Sequence, residues 1–127
     1  GMFLGCSALK NIIVNNFNTS GVTNMIAMFD ECSSLKLIDL SHFDTSNVTN
    51  MAEMFSRCGN LTTIYVGAKW NTSAVTDSAE MFAECTVLVG ANGTSYANML
   101  TTDADNAKLV KYAVVDTEST PGYLTHI

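Results

Sequence analysis

The 127-residue sequence predicts an α/β fold in which short parallel strands alternate with short helical turns. Two observations carry this prediction. Met-Phe occurs four times, at steps of 26, 26 and 27 residues, and a cysteine follows each phenylalanine three positions later. Residues 2–24 and 28–50 also share 13 identities in 23 aligned positions, far more than chance gives. Such self-similarity at a fixed period indicates that one structural unit is used repeatedly.

The first element of each unit is a predicted strand. Each unit begins with the pattern Leu-x-x-Ile-x-(Leu/Val), and the end of this pattern alternates with period two, as a half-buried strand does. The apolar residues that define these strands are Leu9, Ile12 and Val14; Leu35, Ile38 and Leu40; and Leu61, Ile64 and Val66.

The second element is a turn. Asn/Asp-Thr-Ser recurs in three units, beginning at Asn18, Asp44 and Asn71. Asn, Asp, Ser and Thr side chains bond to nearby backbone groups and thereby favour turns. We interpret these segments as turns rather than as modification sites.

The third element is a predicted helix of one or two turns. Apolar residues at spacings of three and four produce one apolar stripe on a helix. Asn50 and Glu53 have the spacing of a capping box, which marks a helix start. In the second unit the stripe consists of Val48, Met51, Met54, Phe55 and Cys58.

The third unit departs from this pattern in two places. It carries one extra residue within 67–70, and Ser78 stands where the earlier units have Met25 and Met51. We expect a local bulge before Trp70 and a smaller core residue at position 78.

A unit of about 26 residues with one strand and one helical return is typical of a leucine-rich repeat. One such coil cannot bury its own apolar face, so neighbouring coils must stack into a solenoid. We therefore assign residues 1–87 to leucine-rich-repeat coils and residues 88–127 to a small, β-rich C-terminal cap. Within that cap, the apolar segment 108–115 is predicted to be a strand.

Charge and hydropathy exclude two classes of partner. The chain has 6 Lys and Arg against 12 Asp and Glu, which gives a net charge of −6. It therefore lacks the basic surface that nucleic-acid binding requires. No apolar run approaches the length of about 18 residues that a membrane-spanning helix needs, so this segment is not expected to insert into a membrane.

The four cysteines invite three interpretations: a buried row, disulfides or a metal site. They occur one per unit, at Cys6, Cys32, Cys58 and Cys85, so they cannot all converge on one ion. Cysteines of adjacent units would form disulfides only if their Cα atoms came within about 7 Å. We favour a buried row, in which each cysteine acts as a small apolar side chain.

The sequence offers no catalytic constellation. His42 and His126 lack the nucleophile and orienting partner that a catalytic histidine needs. No metal-binding, phosphate-binding or nucleophile-elbow motif occurs. We therefore predict a non-enzyme with no catalytic, cofactor-binding or metal-binding residues and no cofactor.

The outward side of the strands is the candidate partner-binding face. If the apolar strand residues point inward, the residues between them point outward. Apolar and aromatic residues at such positions favour binding, although strands are in any case rich in them. The predicted face consists of Asn11, Ile13, Asn15, Leu37, Asp39, Ser41, Thr63 and Tyr65.

Two stretches of the chain resemble a known family. Phe-Asp-Thr-Ser-Asn-Val-Thr-Asn-Met at 43–51, followed by Met-Phe-x-x-Cys at 54–58, resembles the repeat of the BspA-like leucine-rich-repeat surface proteins of bacteria. The segments 92–96, 112–116 and 121–124 resemble the ending of such arrays. The resemblance implies export, an extracellular or cell-surface location and, for some members, adhesion. It brings no catalytic residues.

These observations predict a non-enzymatic binding or adhesion module of an exported bacterial surface protein. Its partner would be a protein or glycan on host or neighbouring cells. The alternative is a passive structural spacer in a larger surface protein. An enzyme is a third and weaker alternative.

Overall fold

The computed structural model describes residues 11–13 and 18–126, the first of these segments as backbone only. Four strands, one α-helix and one 3₁₀ helix lie in this part of the chain. In chain order they are β1 (Asn11–Ile13), β2 (Leu37–Leu40), β3 (Thr63–Val66), α1 (Tyr96–Thr102), the 3₁₀ helix (Val110–Tyr112) and β4 (Leu124–His126).

The strands form one parallel sheet in the order β1-β2-β3-β4. Equivalent residues of successive sequence units pair with each other, so that Leu37 lies opposite Thr63 and Ile38 opposite Ile64. β4 comes from outside the sequence repeat and pairs with β3 through Ile64 and Leu124. The parallel pairing of the repeated strands is as predicted.

The core behind the sheet is built from the repeated apolar residues. Phe29, Phe55 and Phe82 are fully buried, and their rings stack with centroid separations of 5.6 and 5.7 Å. The ring of Tyr123 packs against that of Phe82 in a T-shaped arrangement, with a centroid separation of 5.0 Å, and lies at the end of this row. The same phase of the sequence repeat therefore supplies one continuous row of aromatic rings.

The predicted fold class, an α/β leucine-rich-repeat solenoid with a helical turn in each unit, is wrong. Among the described residues there is a single α-helix, and it lies in the C-terminal segment rather than in a repeat unit. The observed architecture is a small parallel sheet, with that helix in the segment of chain between β3 and β4. The apolar stripe of residues 48–58 is buried, but its backbone forms consecutive turns.

Hydrogen bonding explains why these segments are not helical. In an α-helix each N–H donates to the carbonyl four residues earlier. In residues 51–57 every second N–H donates instead to a carbonyl of the following unit, at 2.7–2.9 Å. The four pairs are Met51 with Asp77, Glu53 with Ala79, Phe55 with Met81, and Arg57 with Ala83. Donors used between units are not available for an α-helix.

Left-handed residues accompany this pattern. Glu53 has φ 57° and Arg57 has φ 61°, a region that non-glycine residues rarely adopt. Equivalent residues of the other units do the same. The predicted capping box is also wrong, because Asn50 Oδ1 accepts from the N–H of Ala52 at 2.9 Å, two residues on. The backbone hydrogen bonds between units thus offset the cost of the positive φ angles.

The prediction of a β-rich cap is wrong as well. The C-terminal segment contains α1, the 3₁₀ helix and only three residues of strand in β4. The 3₁₀ helix lies inside the segment that the sequence predicted as a strand. Because residues 108–115 have no neighbouring unit of their own kind, their β-branched side chains alone do not enforce an extended backbone.

Both departures of the third unit contact the C-terminal segment. Trp70 Nε1 donates to the carbonyl of Ala113 at 2.8 Å. Ser78 is half-buried rather than a core residue, and its hydroxyl accepts from the N–H of Val110 at 3.1 Å. Trp70, next to the extra residue, and Ser78 therefore attach the segment that follows the repeat.

Candidate binding face

The candidate face lies on the side of β2 and β3 that points away from the core. Along both strands, half-exposed and buried residues alternate. Ile38 and Ile64 are fully buried, whereas the predicted face residues Leu37, Asp39, Thr63 and Tyr65 are half-exposed. These last four residues are brought together on two adjacent strands.

The sheet register arranges these side chains in two rows across the strands. Leu37 lies opposite Thr63, and Asp39 lies opposite Tyr65. Thr125 of β4 lies opposite Tyr65 on its other side and is half-exposed. We call Asp39, Tyr65 and Thr125 the polar row. Thr125 was missed by sequence reasoning because β4 lies outside the repeat and carries no periodic signal of its own.

The remaining predicted face residues lie next to these two strands or outside the described residues. Ser41 is half-exposed and directly follows β2. Asn11 and Ile13 lie in β1, opposite Leu37 and Asp39. Asn15 lies outside the described residues.

The polar groups of the row are largely available to a ligand. Asp39 Oδ1 accepts from the N–H of Ser41 at 2.9 Å. In the part of the chain that the structure describes, Asp39 Oδ2 and the hydroxyls of Tyr65 and Thr125 have no hydrogen-bond partner. One carboxylate oxygen is thus used to fix the side chain, and the other can accept from a bound molecule.

Hydrogen-bonded turns follow β2 and β3. The hydroxyl of Thr45 is buried, donates to the carbonyl of Asn71 at 2.8 Å and accepts from its N–H at 2.6 Å. Asp44 Oδ1 accepts from both the N–H and the hydroxyl of Ser46, at 3.1 and 2.6 Å. These bonds support the interpretation of the Thr-Ser segments as turns. They also connect the chain segments that follow β2 and β3.

The cysteines of the described units lie in the core, not on a reactive surface. Cys32, Cys58 and Cys85 are fully buried. The thiols of Cys58 and Cys85 donate to the carbonyls of Phe29 and Phe55, at 3.2 and 3.0 Å. Burial raises the pKa of Cys58 to about 12. A thiol of such high pKa is a poor nucleophile and a poor metal ligand, and Cys6 lies outside the described residues.

A second surface, on the side of the turns, carries ion pairs between neighbouring parts of the chain. Arg57 donates to both carboxylate oxygens of Asp30, at 3.1 and 2.7 Å, and pairs with Glu31 at 2.9 Å. A pocket of about 490 Å³ lies beside it, lined by Glu53, Ser56, Arg57, Glu80, Ala83, Glu84 and Lys108. Lys108 lies 3.7 Å from Glu80.

Within 11–13 and 18–126, no three His, Cys, Asp or Glu side chains are grouped so that they could hold a metal ion. None of the helices in this part of the chain has the length and apolar character needed to cross a membrane.

A family model described as "Mycoplasma protein of unknown function, DUF285" matches residues 1–110. The chain belongs to this family. The match includes β1, β2, β3 and α1, and it ends at the first residue of the 3₁₀ helix. No curated protein and no solved structure matches the chain.

Proposed function

We propose that this chain is a non-enzymatic binding module of an exported bacterial surface protein. It presents the outward face of β2, β3 and β4 to a protein or glycan partner on another cell. The observation that carries this proposal is the pair of in-register rows, in which half-exposed side chains stand on a fully buried layer.

The buried layer supports binding because it orients the face in advance. Ile38, Ile64 and Leu124 belong to the same three strands as the polar row and are fully buried. Ile64 lies opposite Ile38 on one side and Leu124 on the other. A preorganised surface loses less conformational entropy when it binds. Tyr65 adds a rigid, amphipathic side chain of the type that contributes strongly to interfaces.

The bacterial and exported parts of the proposal have separate support. The family description names Mycoplasma, which supports a bacterial source. Export and a cell-surface location follow from the resemblance of residues 43–58 to BspA-like repeats.

Negative charge introduced on the face tests the proposal. The variant carries Leu37→Glu and Tyr65→Glu, and the matched control carries Val87→Glu, because Val87 is an apolar residue that is 47% exposed elsewhere. Fluorescently labelled proteins are added to epithelial cells, and bound protein is measured by flow cytometry. Thermal unfolding confirms that each variant is folded.

We expect saturable binding of the unchanged protein and of the Val87→Glu control, and loss of most binding in the double variant. Equal binding by the double variant would refute the assignment of this face. If the unchanged protein shows no saturable binding to any cell tested, the chain acts as a passive spacer and the proposal is wrong.

A further inference from the structure

We infer that the polar row of Asp39, Tyr65 and Thr125 binds a neutral, hydroxyl-rich glycan. This inference rests on the proposed function and names the chemical class of its partner. The three side chains come from three adjacent strands and lie opposite each other in register.

The dimensions of the row suit a short saccharide. Adjacent strands of a sheet lie about 4.8 Å apart, so the row extends about 10 Å from β2 to β4. A carboxylate, a ring and a hydroxyl are therefore presented side by side across three strands. Small apolar ligands bind in enclosed, mostly apolar pockets, whereas this row is open and its side chains carry polar groups.

The order of the groups matches the two kinds of surface on a sugar. Tyr65, in the middle, offers a ring against which the C–H groups of a pyranose can pack. Asp39 Oδ2 on one side can accept hydrogen bonds from sugar hydroxyls, because a carboxylate accepts through both oxygens. Thr125 on the other side can both donate and accept.

Charge selects against acidic glycans. The row contains one carboxylate and no cation, and the chain as a whole has a net charge of −6. A sialylated or sulfated glycan would be repelled, whereas a neutral glycan is not. The row also lacks the arginine and clustered aromatic residues that dominate protein-protein hot spots, and Leu37 is the single apolar side chain beside it on β2.

Treatment of the target cells separates this inference from the proposed function. The probe is the epithelial cell population that binds the unchanged protein. One sample is oxidised with periodate, which cleaves the vicinal diols of sugars, and another is treated with sialidase. We expect periodate to abolish binding and sialidase to leave it unchanged or to increase it.

Three outcomes are decisive. Binding that survives periodate identifies a protein partner; the glycan inference is then wrong, while the binding function stands. Loss of binding after sialidase identifies an acidic glycan and also refutes the inference. Binding that does not depend on the Leu37 and Tyr65 substitutions refutes the assignment of this face, on which the glycan inference also rests.

Single substitutions in the row test the role of each group. Asp39→Asn keeps the oxygen that accepts from Ser41 and removes the carboxylate charge, so we expect affinity to fall about fivefold. Tyr65→Ala should weaken binding by more than about tenfold, and Tyr65→Phe should lose only the contribution of the hydroxyl. The matched control, Asp105→Asn, changes an exposed carboxylate outside the row and should bind normally. Wild-type affinity in both Asp39→Asn and Tyr65→Ala would overturn the inference.

Discussion

The repeated units, described over residues 18–87, and the C-terminal segment, described over residues 88–126, are stabilised in different ways. In the repeated units, backbone N–H groups of one unit donate to backbone carbonyls of the next, and equivalent phenylalanine rings stack on each other. In the C-terminal segment, single carboxylate side chains accept several hydrogen bonds each. The first arrangement distributes stabilisation over many equivalent contacts, whereas the second concentrates it.

Asp116 shows this concentration. It is buried, and its carboxylate accepts from the N–H groups of Asn92, Thr94 and Gly122 and from the Thr94 hydroxyl, at 2.7–3.2 Å. Asp103 has a similar role nearer the surface, where it accepts from Lys111, Tyr112 and Asn106. These bonds lower the pKa of Asp103, with that from Lys111 the largest cause. Two carboxylates thus connect loops that have no repeated neighbour.

The largest expected effect concerns the cysteines of the repeated units. Burial raises the pKa of Cys58 from 9.0 to about 12, which reduces the thiolate fraction near neutral pH about a thousandfold. We expect Cys58 and Cys85 to resist iodoacetamide in the native protein and to react rapidly after denaturation, as measured by peptide mass spectrometry. Native labelling at the rate of the denatured control would refute the buried row.

The next effect concerns the aromatic row. Phe55 is fully buried between Phe29 and Phe82, so Phe55→Ala removes two stacked contacts and leaves a cavity. We expect the free energy of unfolding to fall by about 3–5 kcal/mol, measured by urea denaturation. The control Val87→Ala, at an exposed position, should change it by less than about 0.5 kcal/mol. A loss below about 1 kcal/mol for Phe55→Ala would show that the row is not a major source of stability.

The sequence predicted which side chains are buried better than it predicted the backbone. Period two located β2 and β3, because Ile38 and Ile64 must face the core. The spacing of Met51, Met54 and Cys58 identified buried positions but not the conformation between them. A helix and a series of turns bury the same residues, and the choice depends on hydrogen bonds to residues 77–83 of the next unit.

The candidate face was predictable only where it belongs to the repeat. Leu37, Asp39, Thr63 and Tyr65 follow from the alternation in β2 and β3. Thr125 does not, because a strand of three residues with no equivalent unit has no detectable pattern. Asp116 was missed for a related reason. Its bonding partners Asn92 and Thr94 lie 24 and 22 residues away, and no local signal connects them.

A smaller effect is expected at Asp116, and it depends on pH. Burial opposes ionisation of Asp116, but the hydrogen bonds that it accepts outweigh burial and lower its pKa. Its stabilising contribution is therefore complete above the ordinary pKa of about 3.9 and is lost as the pH falls through the lower, folded value. Asp116→Asn places an amide NH₂ against N–H donors and should cost about 2–3 kcal/mol at pH 7.

The measurement is urea denaturation of both proteins between pH 7 and pH 2. The unchanged protein should lose more stability on acidification than Asp116→Asn does, since the variant has no carboxylate at this position to protonate. Asp105→Asn, at an exposed position, serves as the control and should follow the unchanged protein. Parallel pH profiles for the unchanged protein and Asp116→Asn would contradict the role of the buried carboxylate.

The smallest effect tests how closely the repeated units approach each other. Gly67 directly follows β3, and a Cβ atom placed there would overlap the carbonyl oxygen of Ser41, which follows β2. Because that obstacle is backbone, it cannot move aside cheaply, and Gly67→Ala should cost about 1–3 kcal/mol. Gly21 offers a matched control, since nothing lies within 4 Å of the Cβ that Gly21→Ala would add. That control should be neutral or slightly stabilising, because alanine reduces the freedom of the unfolded chain. Equal stabilities for the two variants in urea denaturation would show that the backbone around Ser41 and Gly67 moves apart easily and that the contact is not tight. A selective loss at Gly67 would show that the chain segments following β2 and β3 approach too closely there for any side chain.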